Sequence, residues 1–168
     1  MNADAFRYLY DYHFSENRKL WDCLVRGLTY AQYNQPDAYS HGSIRNQIIH
    51  LMNVERDWFT ELRGAPFADP YQPADGDDRP ALRAGWDAVE ADMRAYLAGL
   101  RDGMLFQKPI REPEEDQNLF CWQVLLHVAN HATDHRAQIL RQLHELGIDT
   151  PPQDFMFYVY DHPADESG

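Results

Sequence analysis

The segment His127-Val-Ala-Asn-His131-Ala-Thr-Asp-His135 places three of the chain's 8 histidines at i, i+4 and i+8. At ~100° per residue, four residues overshoot a full turn by only ~40°, so a helix through this segment carries the three rings on one face. With a rise of about 1.5 Å per residue, successive imidazoles lie about 6 Å apart along the axis. Two histidines at i, i+4 can grip one ion, as the pair in HExxH does. Relative to His131, the apolar residues Val124, Leu125, Val128, Ala132, Ile139, Leu143 and Leu146 fall between about +20° and +120°. The row therefore borders the buried stripe, where neutral imidazoles need partners and a metal would satisfy them. A further ligand must come from another helix. His50, flanked by Ile48, Ile49 and Leu51, is the natural candidate. His13 falls mid-helix, His41 in a turn, His144 in a polar last turn where the helix dipole accounts for it, and His162 in the tail.

Other metal chemistries find no support. The chain contains no Glu-x-x-His pair of the di-iron type and no HExxH. Its 2 cysteines, Cys23 and Cys121, form no CxxC and read as core thiols. What remains is a histidine-only mononuclear site with open positions, suited to zinc, nickel or another late divalent ion. A haem slot with His50 and His131 as axial ligands is a rival of another class. Gln138, ~20° from His131, could orient a ligand, and Asp134, at about −60°, could hold a ligand histidine as an outer carboxylate. Asn17, Asn130 and Asp57 are weaker candidates, and no residue stands out as a general base.

These residues must be carried by helices. Phe6, Tyr10, Phe14, Leu20, Trp21, Leu24 and Leu28 repeat at helical spacing, with Asn17 interrupting the stripe. Ser43 is a good N-cap for a second helix with the stripe Ile44, Ile48, Leu51, Trp58, Leu62, broken at Glu55 and ended by Gly64. Residues 64–80 hold Pro66, Pro70, Pro73, Gly76 and Pro80, a connection longer than most inter-helix loops. A third helix follows from Leu82 to Leu100, then a Pro-containing, acidic stretch with a short extended arm at 106–111. The fourth runs from about Asn118 to Leu146 and stops at Gly147. The aromatic tail packs back as a turn of helix. The fold expected is all-α, a four-helix bundle forming one domain over residues 1–168, with a long crossover between helices two and three.

Composition narrows the function further. The 168 residues carry 15 Lys+Arg against 27 Asp+Glu, a net charge of −12, which argues against nucleic acid or an anionic membrane as partner. No apolar run approaches the ~20 residues of a membrane helix, and no signal peptide is visible, so a cytoplasmic location is expected. Trp122, Leu126, Ala129 and Leu140 cluster opposite the histidine row, and a helix apolar on two sides predicts a homodimer.

Three stretches together resemble the DinB family of four-helix-bundle metalloenzymes. They are Tyr12-His-Phe-Ser-Glu-Asn17-Arg-Lys-Leu20, with Phe14 where Trp is common; Gly42-Ser43-Ile44 through Ile49-His50-Leu51 to Glu55-Arg-Asp-Trp58; and Leu126-His127-Val-Ala-Asn130-His131-Ala-Thr-Asp-His135-Arg136-Ala-Gln138, with Ala137 where Gly is usual. The tail Gln153-Asp-Phe-Met-Phe-Tyr158 is also similar. The resemblance implies an up-down-down-up bundle and a divalent metal held by His50, His131 and His135, with His127 in the pocket wall. It also implies a small-molecule substrate and, in some members, a low-molecular-weight thiol as co-substrate. The function expected first is a metal-dependent, thiol-dependent S-transferase. A metal-dependent hydrolase is second, and a non-catalytic metal-binding or stress-response protein is the rival outside enzymes.

Overall fold

The computed structural model describes residues 1–163, so the last five positions of the expected 1–168 domain lie outside the described residues. Four long helices dominate: α1 (Ala3–Gly27), α3 (Ile44–Arg63), α4 (Arg79–Ala98) and α6 (Cys121–Glu145). Short helices α2 (Tyr30–Tyr33), α5 (Asp102–Leu105) and α7 (Phe155–Asp161) sit in the connections and tail, with a 3-10 turn at Glu114–Asp116. The fold is all-helical, with no strand among the described residues, and the arm expected at 106–111 has no sheet partner. None of these helices is long and apolar enough to cross a membrane.

Local chemistry sets the ends. The Asn2 side chain accepts from the Ala5 N–H at 2.9 Å to open α1. Ser43 does the same for α3 through the Asn46 N–H at 3.2 Å, and Gly64 closes that helix at φ 61°, a left-handed angle that glycine adopts without strain. α6 starts at Cys121, later than the expected Asn118, because the Gln123 side chain accepts from the Phe120 N–H at 2.8 Å.

Each long helix packs on two others: α3 lies against α4 and α6, and α1 lies against the same pair. Phe6, Tyr10, Phe14, Leu20, Leu51, Phe59, Leu82, Met93, Leu125 and Val128 fill the space between them, almost wholly removed from solvent. Each such side chain contributes roughly 1.5–3 kcal/mol of burial, which conformational entropy largely offsets. The crossover is stapled rather than loose. Arg45 pairs with Asp78 at 2.7 Å and donates to the Ala74 carbonyl, while Asn53 and Tyr71 exchange side-chain and backbone hydrogen bonds at 3.1 and 3.0 Å. On α6, Ala129 is buried, Trp122 and Leu140 are half-buried, and Leu126 stays exposed.

The two polar interruptions in the apolar stripes meet inside the core. Asn17 Nδ2 donates to Glu55 Oε1 at 3.0 Å, and Trp86 Nε1 donates to Glu55 Oε2 at 2.7 Å. Arg136, fully buried on α6, donates to Asn17 Oδ1 at 3.0 Å and to His13 Nδ1 at 3.2 Å. A guanidinium can only donate, so His13 Nδ1 is the acceptor and its proton sits on Nε2, 3.0 Å from Glu55 Oε1. Burial pushes the His13 pKa down, keeping the ring neutral. Burial alone would raise the Glu55 carboxyl, but His13, Trp86 and Asn17 outweigh it and hold the group below its ordinary range. This network fixes α1, α3, α4 and α6 against one another beside the histidine cluster.

Candidate metal centre

The seam between α3 and α6 brings histidines from both helices together. His50 Nε2 lies 3.2 Å from His131 Nε2. The His135 ring centroid is 4.7 Å from that of His50 and 4.3 Å from that of His131. His41, from the loop before α3, stacks on His50 at 3.5 Å with an interplanar angle of 18°. Ligating nitrogens of His41, His50 and His135 all lie within 4.8 Å of one another, so three histidines stand close enough to hold an ion.

The tautomer of His135 follows from a chain of hydrogen bonds read from its far end. The Asp134 carboxylate can only accept, so Gln138 offers it Nε2 at 3.0 Å. Gln138 then presents Oε1 to Gln47 Nε2 at 3.1 Å, and Gln47 presents Oε1 to His135 Nδ1 at 2.8 Å. The proton is therefore on Nδ1, leaving Nε2 with the lone pair a metal needs. His131 differs: its Nδ1 is buried with no hydrogen-bond partner.

Electrostatics keep the cluster neutral. Burial first, and then the neighbouring imidazoles, push His50 and His131 down to about 4. His135 is lowered by burial and by His41, against the opposing pull of Asp134. Near pH 7 these rings are in the unprotonated form that ligates. The donor set fits a late divalent ion. With metal–nitrogen bonds of about 2.0–2.1 Å, two imidazoles on one ion stand about 2.9–3.4 Å apart, and the His50–His131 separation falls in that span.

Not every residue of the row takes part. The rings grow more buried along the row, from exposed His127 through half-buried His131 to buried His135. His127 packs edge-on against Trp58 at 5.3 Å and stands 5.7 Å from His131, forming the outer wall. Asp134 makes no hydrogen bond to a ring; it acts on His135 through Gln138 and Gln47 and by its charge. Asn17 belongs to the core network, and Asn130 is exposed. A haem finds no slot between His50 and His131, since their nitrogens already meet and His41 covers the other face of His50. Two contributors escape the sequence reading. Gln47 stands three residues before His50, and that helical spacing onto the same face was the available signal. His41 lies in a turn, where no periodicity reveals direction. The free cysteines are both unsuited to nucleophilic work: burial raises Cys23 and Cys121 above the usual thiol range.

Comparison with known proteins sets this cluster in context. The model of the DinB family matches residues 1–166. The chain belongs to the DinB family. Protein DinB of Bacillus subtilis (strain 168) is 23% identical over 172 residues, spanning 95% of this chain and 96% of that protein. Membership of the DinB family and the convergent histidines are together compatible with a metal-binding protein.

Proposed function

We propose that this DinB-family protein holds one divalent transition ion, zinc or nickel in class, through His50, His131 and His135, and uses it to transfer a low-molecular-weight thiol to an electrophilic small molecule. The observation that carries the reading is the 3.2 Å approach of His50 Nε2 and His131 Nε2 beside His135. Bound there, the ion lowers the pKa of a thiol placed on it, supplying thiolate near neutral pH. The chain's own part is to keep three rings neutral, to fix the His135 tautomer through Gln47, and to exclude charge from the cluster.

Thiol transfer is favoured over hydrolysis by the state of the nearby carboxylates. Glu55 and Asp134 are the carboxylates whose charges act on His131. Glu55 is buried and already accepts from His13, Asn17 and Trp86, while Asp134 accepts from Gln138. Glu55 is thereby not free to take a proton from an attacking water, and exposed Asp134 touches none of the rings, whereas a thiol starts from a pKa of about 8.5 rather than about 15.7 and depends less on such a base.

The bundle proposed is one domain over residues 1–168 in up-down-down-up order. Supporting it, Arg7 Nε meets the Leu97 carbonyl and Arg79 Nη1 meets the Leu28 carbonyl, as antiparallel α1 and α4 require. Gln142 near the end of α6 reaches Gly42 just before α3, and Arg45 at the start of α3 reaches Asp78 just before α4. Exposed Leu126 on α6 supports a homodimer through that helix, which sedimentation at micromolar concentration tests: a single ~20 kDa species contradicts it.

The decisive experiment is cobalt substitution of the purified protein followed by addition of 2-mercaptoethanol. Transfer chemistry predicts that the thiol changes the visible spectrum. A cobalt spectrum indifferent to thiols, on protein that binds the ion, assigns the site to metal storage or sensing instead.

A further inference from the structure

Resting on the metal reading above, the geometry points to His41 as a fourth, loop-borne ligand. With it the site closes as four imidazoles, and its departure opens the position that an exogenous thiol takes.

Placement is the first support. A nitrogen of His41 lies within 4.8 Å of ligating nitrogens of both His50 and His135, though the ring comes from neither ligand-bearing helix. Its centroid is 3.5 Å from His50 and 5.3 Å from His135. Imidazoles sharing one ion stand about 2.9–3.4 Å apart with their planes meeting at it, so the His41 ring turns out of its near-parallel, 18° stack on His50 to ligate.

The backbone is the second support, because the turn is shaped to deliver this side chain. Ser40 adopts φ 56°, a left-handed angle unfavourable for a residue with a Cβ, and Gly42 adopts φ 82° on the other side of His41. The Gly42 N–H donates to the Tyr39 carbonyl at 3.1 Å. The Gly42 carbonyl accepts from Gln142 Nε2 on α6 at 3.0 Å, and Ser43 caps α3. The loop is thus tied to both helices that carry the other imidazoles, with His41 between the ties.

Exposure is the third. His135 is buried and His50 half-buried, but His41 is exposed. It approaches the cluster from the solvent side. Three protein ligands plus an exchangeable one make a catalytic site, and four make a closed one. A loop ligand switches between the two. The thiol then competes with His41, and its apparent affinity is reduced by the fraction of sites in which His41 is bound.

The test compares wild type, His41→Ala and His144→Ala, the last removing an exposed imidazole at the far end of α6 outside the site. Zinc affinity is read by chelator competition and the coordination by the visible spectrum of the cobalt form. His41→Ala is expected to bind zinc more than about tenfold more weakly, the lower end of what even outer partners of a metal site cost. Its cobalt spectrum should change, and 2-mercaptoethanol should half-saturate it at a concentration at least about tenfold lower than in wild type. His144→Ala should match wild type in both. If His41→Ala matches wild type in zinc affinity, spectrum and thiol response, His41 is not a ligand and the three-histidine reading stands without it. If wild type takes up neither zinc nor cobalt, the metal reading and this inference both fall.

Discussion

His50 and His131 face each other ring nitrogen to ring nitrogen, Nε2 to Nε2, at 3.2 Å across the α3–α6 seam. At that distance one neutral ring can donate to the other, but two protonated rings cannot coexist, and burial holds both near a pKa of about 4. The pair is therefore a proton-sensitive contact in the metal-free protein and a place for a cation at neutral pH.

Stability of the metal-free protein should fall as pH is lowered. In the unfolded chain these histidines titrate at about 6.5, and in the folded chain His50 and His131 titrate at about 4, with His13 and His135 also lowered. Between those values the unfolded state binds more protons, so the contribution is intact above about pH 6.5 and is lost as pH falls through the window to about 4. Thermal melts across that range should show a declining Tm, and zinc should raise Tm at pH 7.5 but lose that effect as pH falls through about 4, where protons occupy the rings. A Tm that is level or rises on acidification contradicts the assignment of neutral buried imidazoles.

Gln47→Leu should weaken zinc binding by about 10–100-fold, because His135 Nδ1 loses the acceptor that fixes its tautomer. Asp134→Asn, two links away, should cost much less. Chelator competition on folded protein distinguishes them, and equal affinities for Gln47→Leu and wild type would remove Gln47 from the site.

Arg136→Met should destabilise the fold by about 3–5 kcal/mol, since it removes the buried guanidinium that reaches Glu55 through His13 and Asn17 and leaves that carboxylate's charge unbalanced. The double variant Glu55→Gln with Arg136→Met should cost less than the sum of the single changes. Urea unfolding measures both. A loss under about 1 kcal/mol for the single variant would mean that the buried charges are not coupled.

Much of this was legible in the sequence, for identifiable reasons. Helix boundaries followed from Ser43, Gly64 and Gly147, whose side chains or torsions act locally. The histidine row was legible because helical periodicity fixes which residues share a face. Asn17 and Glu55 were visible as interruptions in two apolar stripes, but their 3.0 Å bond depends on how α1 meets α3, which no single stripe records. The direction of His41 depends on two left-handed torsions in a turn, and the Gln47 bond depends on the register of α3 against α6. Side-chain contacts set by inter-helix register are the part that single-sequence spacing does not carry.

The central claim is that His50, His131 and His135 hold one ion. Elemental analysis of protein purified without an affinity tag and reconstituted with zinc tests it most directly. About one ion per chain in the wild type, lost in His131→Ala and retained in His127→Ala, is the predicted result. A wild type that retains no metal, or a His131→Ala variant that retains as much as the wild type, would contradict it.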